Sequence, residues 1–463
     1  ESSALLSNLC SSSHRLCASL SFSMRELLTR AFSAAVAAAN PLECVRRSLR
    51  FTPSCVSVIG SSVWIPLEDS TPLYLISFGK GAAAMAEGAE QILGSRIKEG
   101  IVILPNQQGI SHTLRSRVYE AGASNLPDRR SIEATKEVLS LVDGAECDAV
   151  FLVLISGGGS ALLSLPSKGV NLDQKVTTIR ALVAKGASIQ QLNGVRRVLS
   201  QVKGGGLADR MGERKSLSLI LSDIVGDPLE FIASGPTVHP QSSIRAASVI
   251  DDLKARSSLP KEVIDAIERE NMSLRVAPSA AHHVIIGNNA MAMEEAKKFL
   301  DTERFRSTIA TCTRVGEAEE LGREVADTVV SLQRGERTAI LYGGETTANL
   351  PAKSGMGGRN QHAALTAMIH LSRRREEWKG LQFSLLFAGT DGQDGPSDAA
   401  GATVTSQQII DLTPQEIELA EKAFVQANSY NFWKEFRGGE CHFKPGLTGT
   451  NVMDITIILS HTM

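Results

Sequence analysis

The chain has 463 residues, of which 43% are apolar; a chain of this length can bury a large core and is expected to form about two or three domains, so a small binding module is excluded. Lys and Arg together number 48 against 50 Asp and Glu, and the net charge of −2 provides no general attraction to nucleic acid or to an anionic membrane. No apolar run approaches the roughly 18–20 residues of a membrane span, and the 7 cysteines form no Cys-x-x-Cys pair, which argues against a disulfide framework or a zinc site and favours a reducing compartment.

Residues 1–23 differ in composition from the rest of the chain. They are rich in serine, with Arg15 as the only basic residue and Glu1 as the only acidic one. We expect this segment to lie outside the fold, either as a disordered terminus or as the remnant of a mitochondrial leader that precedes Met24. The expected compartment is therefore the cytoplasm, or the mitochondrion if the leader interpretation holds.

The next region alternates between strands and helices. An Ala-rich helix is predicted over residues 25–39, ending before Pro41, which cannot continue it. The predicted strands that follow are 73–78, 101–104, 150–155 and 217–221, and the predicted helices are 81–95, 131–142, 172–184, 195–202, 244–253 and 261–269. This alternation indicates a parallel sheet with helices on both faces, and the lack of polar alternation in the strands agrees with burial on both sides.

A polar, proline-bearing break at residues 271–281 leads to a second region, and we place the domain boundary near residue 278. Strands are predicted beyond it at 283–286, 307–311, 339–342, 383–388 and 455–459, and helices at 290–300, 317–333 and after Asn360. The chain is thus predicted to be an α/β protein of two Rossmann-like domains, residues 24–278 and 279–463. We expect largely parallel sheets and a ligand cleft between the domains.

Loops that follow the apolar strands are where chemistry is expected, because ligands of open parallel sheets bind beyond the carboxyl ends of the strands. Lys80 lies between Gly79 and Gly81 at the start of a predicted helix, where backbone N–H groups collect anions. The alternative is a glycine turn with a solvated lysine. A second loop offers bare glycine backbone that can cradle a phosphate or carboxylate: Ser156, Gly157, Gly158, Gly159 and Ser160.

Asp223 lies just beyond the strand 217–221. A carboxylate there suits coordination of Mg²⁺ or acceptance of a hydroxyl proton, although loop aspartates also commonly cap turns.

In the second domain, Gly357 and Gly358 precede Arg359 at a predicted helix start. A guanidinium that emerges from glycine backbone at this point is well placed to clamp phosphoryl oxygens. The aspartate-rich loop after strand 383–388 includes Asp391 and Asp394, which either help to bind metal or nucleotide or simply form turns.

Two common nucleotide-binding motifs are excluded. Gly79-x-Gly81 after a strand imitates the dinucleotide fingerprint of dehydrogenases, but the next predicted strand is followed by Pro105 and Asn106, where the fingerprint requires an acidic residue. A Walker A loop is absent because Gly-Lys-Ser/Thr occurs nowhere in the chain.

Taken in order, these loops resemble the class II glycerate kinase family, whose C-terminal part is known as the multi-organism Rossmann-like fragment. The resemblance covers residues 24–459, and the run 123–128 departs from it where bacterial relatives carry Gly-His-Pro-x-Pro-Asp. The matching runs are residues 78–80, 156–160, 192–197 with 203–205, 221–227 with 234–236, 343–345, 357–361, 389–394 and 449–452.

The resemblance implies phosphoryl transfer from ATP to D-glycerate with Mg²⁺, with the 2-hydroxyl favoured as the acceptor. It implies Lys80, Asp223 and Arg359 as the catalytic residues, with Asp223 also the candidate metal ligand. The glycine-rich loops of both domains are expected to bind the phosphates of the nucleotide, through Gly79, Gly81, Ser156, Gly157, Gly158, Gly159, Ser160, Gly357 and Gly358. The matching runs also contain the candidates for substrate binding: Asn193, Arg196, Lys203, Asn360, Asp391 and Asp394.

Two rival functions stay open. An NAD(P)H-dependent hydroxypyruvate reductase would share substrate and fold, and a non-catalytic nucleotide-binding protein would bind ATP without glycerate-dependent turnover. The expected partners are small molecules, ATP and D-glycerate, and neither nucleic acid nor a membrane. The oligomeric state is left open, with a homodimer as one option.

Overall fold

A computed structural model describes residues 24–106, 113–122, 126–239, 244–270, 280–351 and 353–462. The chain divides into two compact units: the first comprises residues 41–287, and the second comprises residues 24–40, with the helix α1 at 24–38, together with 288–462. The expected disordered or leader segment 1–23 lies outside the described residues, and so do residues 123–125 of the departing run. Among the helices in the described ranges, none is long and apolar enough to cross a membrane.

The first unit begins with a helix and a small antiparallel sheet, α2 (Pro41–Ser48), β1 (Leu49–Thr52), β2 (Cys55–Val58) and β3 (Trp64–Pro66). The main sheet, within the described residues, has six strands, all paired in parallel: β4 (Leu73–Phe78), β5 (Ile97–Pro105), β6 (Arg117–Ala121), β7 (Val150–Ile155), β8 (Lys215–Leu221) and β9 (Ala281–Gly287). The helices are α3 (Ala82–Leu93), α4 (Arg129–Gly144), α5 (Gly159–Leu162), α6 (Leu172–Ala184), α7 (Ile189–Val198), α8 (Gly206–Met211), α9 (Ala246–Asp252) and α10 (Lys261–Glu270).

The order of the main sheet is β6-β5-β4-β7-β8-β9. Counted from its first strand this is the order 3-2-1-4-5-6 of doubly wound dinucleotide-binding folds, which bind their ligands where the order reverses. The reversal lies between β4 and β7. Every residue of these two strands is buried, which is why their sequences are continuous apolar runs.

Four helices of the first unit, α6, α7, α9 and α10, form a helical subdomain with its own apolar core. Leu182, Val195, Ile250 and Ile267 are among the side chains of this core that are almost fully buried. Polar caps define the starts of two of the helices: Asn171 accepts a hydrogen bond from the Gln174 N–H of α6, and Ser188 does the same for the Gln191 N–H of α7.

The second unit contains α1 and a mixed sheet in which, over the described ranges, β10 pairs with β11 in parallel and all other pairings are antiparallel. The strands are β10 (Arg306–Arg314), β11 (Thr338–Gly344), β12 (Leu381–Gly389), β13 (Gly401–Thr405), β14 (His442–Phe443) and β15 (Asp454–Thr462), in the order β10-β11-β15-β12-β13-β14. The helices are α11 (Asn289–Thr302), α12 (Ala318–Ser331), α13 (Arg359–Ser372), α14 (Ser406–Ile410), α15 (Pro414–Val425) and α16 (Ser429–Glu435).

The prediction of largely parallel sheets is confirmed for the first unit and wrong for the second. Alternation of strands with helices predicts parallel strands, but β12 is antiparallel to both of its neighbours, although it is buried at every residue like the parallel strands of the first unit. Helices that cover both faces of a sheet remove the polar alternation whatever the strand direction. The last strand, β15, inserts between β11 and β12, and this long-range pairing leaves no local trace in the sequence.

Two elements lie on the other side of the boundary predicted near residue 278. β9, expected to open the second domain, pairs with β8 in the first sheet, and α1, expected in the first domain, belongs to the second unit. There Phe32 packs edge-on against Phe443, with ring centroids 5.1 Å apart, and Thr450 Oγ1 donates a hydrogen bond to Ala39 O at 2.6 Å. The division seen in the structure differs from the predicted one by these two elements.

Candidate active site

The loop after β4 is held against the loop after β7 by hydrogen bonds. The Lys80 N–H donates to Gly157 O at 2.8 Å, and the Gly81 N–H donates to Ser156 Oγ at 2.9 Å. Gly79 has φ +129°, and a Cβ there would lie 2.5 Å from Ser156 O, so only glycine lets the two loops approach this closely. The half-buried Lys80 is thereby fixed at the point where the strand order reverses.

The glycine loop after β7 brings Lys80 and Asp223 to the same place. A Cβ at Gly157 would lie 2.3 Å from Asp223 Oδ2, so the carboxylate rests directly against the Gly157 backbone. A Cβ at Gly158 would lie 3.4 Å from Lys80 Cγ, so the stem of the lysine passes over this residue. Gly158 also has φ +78°, a conformation that most side chains would strain. Bare backbone is what allows the ammonium and the carboxylate to share this site.

The surroundings of Asp223 shift the pKa of its carboxyl group. Burial raises the pKa of Asp223 above its ordinary value, while its own backbone, the Lys80 charge and a hydrogen bond from the Gly158 backbone act in the opposite direction. A carboxylate whose pKa is raised accepts a hydroxyl proton more readily than an ordinary aspartate.

Asp223 was predicted as the candidate ligand of Mg²⁺. In the part of the chain that the structure describes, no three His, Cys, Asp or Glu side chains are grouped to hold a metal ion by themselves. Mg²⁺ is commonly held by one or two carboxylates together with phosphate oxygens and water. A lone carboxylate beside a loop of bare backbone N–H groups fits such a shared magnesium site, and the role of Asp223 as its protein ligand stays a prediction.

A cavity of about 460 Å³ opens beside these groups. Its charged lining residues are mostly cationic: Lys80, Lys175, Arg180, Arg196, Lys203 and, as the carboxylate, Asp223. Lys203 Nζ donates to Ser160 O and Ser160 Oγ, both at 2.8 Å. Burial and the charges of Lys175 and Arg196 hold the pKa of Lys203 well below its ordinary value. Such an excess of positive charge in a concave site favours an anionic ligand.

Two of the predicted substrate-binding residues, Arg196 and Lys203, line this cavity. Arg196 belongs to α7, its NH1 donates to Asn193 Oδ1 at 3.2 Å, and burial lowers the pKa of its guanidinium. Asn193 thus supports Arg196. The substrate-binding roles of all three residues stay predictions.

Sequence reasoning missed Lys175 and Arg180, the two cations that α6 contributes to the cavity. The spacing gives only part of the signal. Five residues of α6 recur at intervals of three and four and therefore share one face of the helix: Leu172, Lys175, Val176, Ile179 and Arg180. A cation on such a face can equally lie in solvent, so its place in the cavity is known only from the structure.

Arg359, the first residue of α13, is ion-paired within the second unit. Its Nε and NH2 contact the Asp454 oxygens at 2.5 and 3.0 Å, and its NH1 lies 2.9 Å from Glu345 Oε1. Burial would lower the pKa of Arg359, but the Asp454 and Glu345 carboxylates raise it above its ordinary value. The guanidinium is therefore a permanent, oriented charge at the start of the helix.

Asp394 anchors the first turn of α13. Its Oδ1 accepts from the Asn360 N–H at 3.0 Å, and its Oδ2 accepts from the Gln361 N–H at 2.8 Å and from Gln361 Nε2 at 3.0 Å. Burial raises the pKa of Asp394 to about 6 in spite of these bonds. A Cβ at Gly358 would lie 2.2 Å from Asp394 Cγ, so the close packing of the carboxylate requires glycine at this position.

The predicted site residues form one group in each unit. The first group contains Lys80, Asp223, Arg196, Lys203 and the two glycine-bearing loops around the cavity. The second contains Arg359, Asn360 and Asp394 at the start of α13, with Gly357 against Ser429 and with Asp391 Oδ1 accepting from the Gln393 N–H in a turn. Whether these residues bind nucleotide or substrate stays a prediction.

Comparison with known proteins assigns the family. Residues 27–268 match the family described as a domain of unknown function, DUF4147, and residues 338–454 match the MOFRL family. The glycerate kinase of Mus musculus is 32% identical, with 95% of this chain and 93% of the relative covered. The glycerate 2-kinase of Pyrococcus horikoshii is 33% identical, with 95% of this chain and 98% of the relative covered.

A solved structure gives the same assignment. The crystal structure of a glycerate kinase from Thermotoga maritima superposes with a TM-score of 0.79 at 32% identity and covers 94% of this chain and 99% of that one. Sequence and fold thus agree over nearly the whole length, as the motifs predicted. The chain belongs to the glycerate kinase family, a family of phosphotransferases that combines a DUF4147 region with a MOFRL region.

Proposed function

We propose that the chain transfers the γ-phosphoryl group of ATP to D-glycerate and releases ADP and 2-phosphoglycerate. The observation that supports this most strongly is the convergence of Lys80, the bare backbone of Gly157 and Gly158, and the Asp223 carboxylate where the strand order of a doubly wound sheet reverses. The choice of the 2-hydroxyl rests on the resemblance of the motifs and on the Pyrococcus horikoshii relative, which is named glycerate 2-kinase.

Phosphoryl transfer requires positioning and charge neutralisation more than covalent help from the protein. In the proposed reaction Lys80 and the backbone of the glycine loop hold the phosphoryl oxygens, and Asp223 orients the acceptor hydroxyl. The hydroxyl oxygen bonds to the γ-phosphorus as the bond to the β,γ-bridging oxygen breaks. The hydroxyl proton passes to Asp223, and ADP leaves. Mg²⁺, when bound with the nucleotide, would neutralise charge on the phosphates. In the alternative assignment Asp223 would hold this metal, and the hydroxyl proton would pass to solvent instead.

Arg359 is proposed to stabilise the negative charge that develops on the transferring group. Its fixed orientation between Glu345 and Asp454 supports this role, because a preorganised guanidinium needs little rearrangement during the reaction. The ligand cleft expected between the two domains, and with it the joint action of Arg359 and Lys80, stays a prediction.

A coupled ADP-release assay on the purified full chain tests the proposal. The assay contains Mg²⁺ and ATP and compares a panel of short hydroxy acids as acceptors. We expect ADP to be released with D-glycerate and not in the absence of an acceptor. Phosphorus NMR of the product should show 2-phosphoglycerate. Formation of 3-phosphoglycerate would support the kinase activity but contradict the assignment of the 2-hydroxyl as the acceptor.

The same preparation separates the rival functions. Oxidation of NADH with hydroxypyruvate, together with no ADP release from ATP and D-glycerate, would replace the kinase by a reductase. Binding of ATP in calorimetry without any acceptor-dependent turnover would identify a non-catalytic nucleotide-binding protein. Either result would contradict the proposed reaction.

A further inference from the structure

Within the described part of the chain, Lys175 is a buried cation without a hydrogen-bond partner. Lys175 is 5% exposed, and its Nζ forms no hydrogen bond to any residue that the structure describes. Removing an ammonium group from water without a compensating partner is costly, and proteins rarely keep such a group unless something binds to it. No described residue compensates this charge, and an anionic ligand would do so.

The neighbours of Lys175 increase this demand for an anion. Arg196 and Lys203 lie close enough for their charges to interact with it, but Arg196 already donates to Asn193, and Lys203 already donates to Ser160. Burial and the Arg196 charge lower the pKa of Lys175 to about 8, so the ammonium form still predominates at neutral pH. Of this trio, Lys175 is the cation whose hydrogen bonds are unused within the described part of the chain.

The wall around Lys175 indicates what kind of anion binds there. On the same face of α6, the aliphatic side chains of Leu172, Val176 and Ile179 line the cavity together with the cations Lys175 and Arg180. A strongly hydrated polyphosphate gains little from an aliphatic wall, whereas a small carboxylic acid can place its carbon atoms against it and its charge on the ammonium. The phosphate-binding features of the cavity, Lys80 and the glycine loop, are supplied instead by the ends of β4 and β7.

We propose that Lys175 binds the carboxylate of the acceptor and so places its hydroxyl toward Lys80 and Asp223 across the same cavity. This inference rests on the proposed function and deepens it. It defines the substrate class as short hydroxy acids, recognised by their carboxylate, and it excludes neutral polyols such as glycerol, which offer the lysine no charge.

The test compares Lys175→Met with the wild-type chain in the ADP-release assay. Methionine keeps most of the length and the apolar character of the lysine stem and removes a buried charge, so the fold should be retained. Loss of a charged hydrogen bond should raise KM for D-glycerate about 10- to 100-fold, whereas KM for ATP should change less than about threefold. Lys185→Met, at the exposed end of the same helix, is the matched control and should change neither constant.

Two results in this assay would overturn the inference. One is an unchanged KM for D-glycerate in the folded Lys175→Met chain and in a second folded variant, Lys175→Gln. The other is a rise in KM for ATP as large as the rise for D-glycerate, which would assign Lys175 to the phosphates of the nucleotide.

Calorimetry separates failure of this inference from failure of the proposed function. D-glycerate, but not glycerol, should bind the wild-type chain and bind Lys175→Met about 10- to 100-fold more weakly, whether or not ADP is released. If ADP release is absent while this binding difference holds, the kinase reaction is wrong and the carboxylate site stands. If D-glycerate binds both chains equally, or binds neither, the carboxylate site is overturned.

Discussion

Arg359 is a cation that already has two carboxylate partners, Glu345 and Asp454. Asp454 is buried, and burial raises the pKa of its carboxyl group against the opposing effect of Arg359. Removing the arginine would leave this carboxylate without its counter-charge, which typically destabilises a protein by about 3–5 kcal/mol. Any kinetic test of Arg359 must therefore separate lost catalysis from lost stability.

We predict that Arg359→Ala lowers kcat by about 10³–10⁵, or roughly 4–7 kcal/mol of transition-state stabilisation. The reason is that the guanidinium would no longer neutralise the charge on the transferring phosphoryl group. The measurement is single-turnover ADP release, on protein shown to be folded by circular dichroism.

The Arg359→Ala, Asp454→Asn double variant removes the unpaired buried charge and should recover stability without recovering the rate. Arg373→Ala, at the exposed end of the same helix, is the control and should retain full activity. A loss of less than tenfold in folded Arg359→Ala would exclude Arg359 from the mechanism.

Single residues differ in how far the sequence reveals them. Lys80 and Asp223 could be predicted because both follow apolar strands, and the carboxyl ends of parallel strands meet at one edge of a sheet. Lys175 could not, because a lysine on an amphipathic helix is indistinguishable from a solvated one until the partner of that helix face is known.

At the scale of elements, the long, apolar or strongly periodic segments were the predictable ones. β4, β7 and β8, and helices such as α6, lie close to their predicted ranges. The short edge strands β6 and β14 were not predicted, because their burial is only partial and nothing in their composition sets them apart from loops. Their pairing partners, which are distant in sequence, decide their structure.

The start of α13 depends on one buried side chain, Asp394. Asp394→Ala would leave the backbone N–H groups and side-chain amides of Asn360 and Gln361 without their acceptor. We predict a loss of about 2–5 kcal/mol in the free energy of unfolding, because buried donors that lose their partner forfeit their hydration without compensation. Hydrogen exchange followed by mass spectrometry, on peptides that contain the start of α13, measures the loss locally, because the unfolding of a multidomain chain need not be two-state.

Asp398→Ala serves as the control for Asp394→Ala. Asp398 lies in the same loop but is exposed, and its contacts to Tyr430 and Lys444 are on the surface, so its loss should cost at most about 1 kcal/mol. Equal effects of the two substitutions would show that the hydrogen bonds of Asp394 to the start of α13 do not contribute to stability beyond those of an exposed aspartate.

At the scale of the whole molecule, the composition of each unit depends on pairings between distant segments, which the local sequence pattern does not predict. The α/β class and the presence of two domains follow from the alternation of helices and strands. The position of β9 as the sixth strand of the first sheet, of β15 in the middle of the second, and of α1 in the second unit all rest on contacts between distant segments. Length and periodicity constrain such contacts only weakly.

The assignment of α1 to the second unit leads to a test on Phe32. This side chain is 2% exposed and packs against Phe443, so Phe32→Ala should reduce stability by about 3–5 kcal/mol. Because the unfolding of a multidomain chain need not be two-state, the readout should be local: hydrogen exchange followed by mass spectrometry. We expect faster exchange in peptides from residues 288–462 and unchanged exchange in those from 41–287. Ser33→Ala, exposed on the same helix, should change neither set, and faster exchange confined to residues 41–287 in Phe32→Ala would place α1 in the first unit instead.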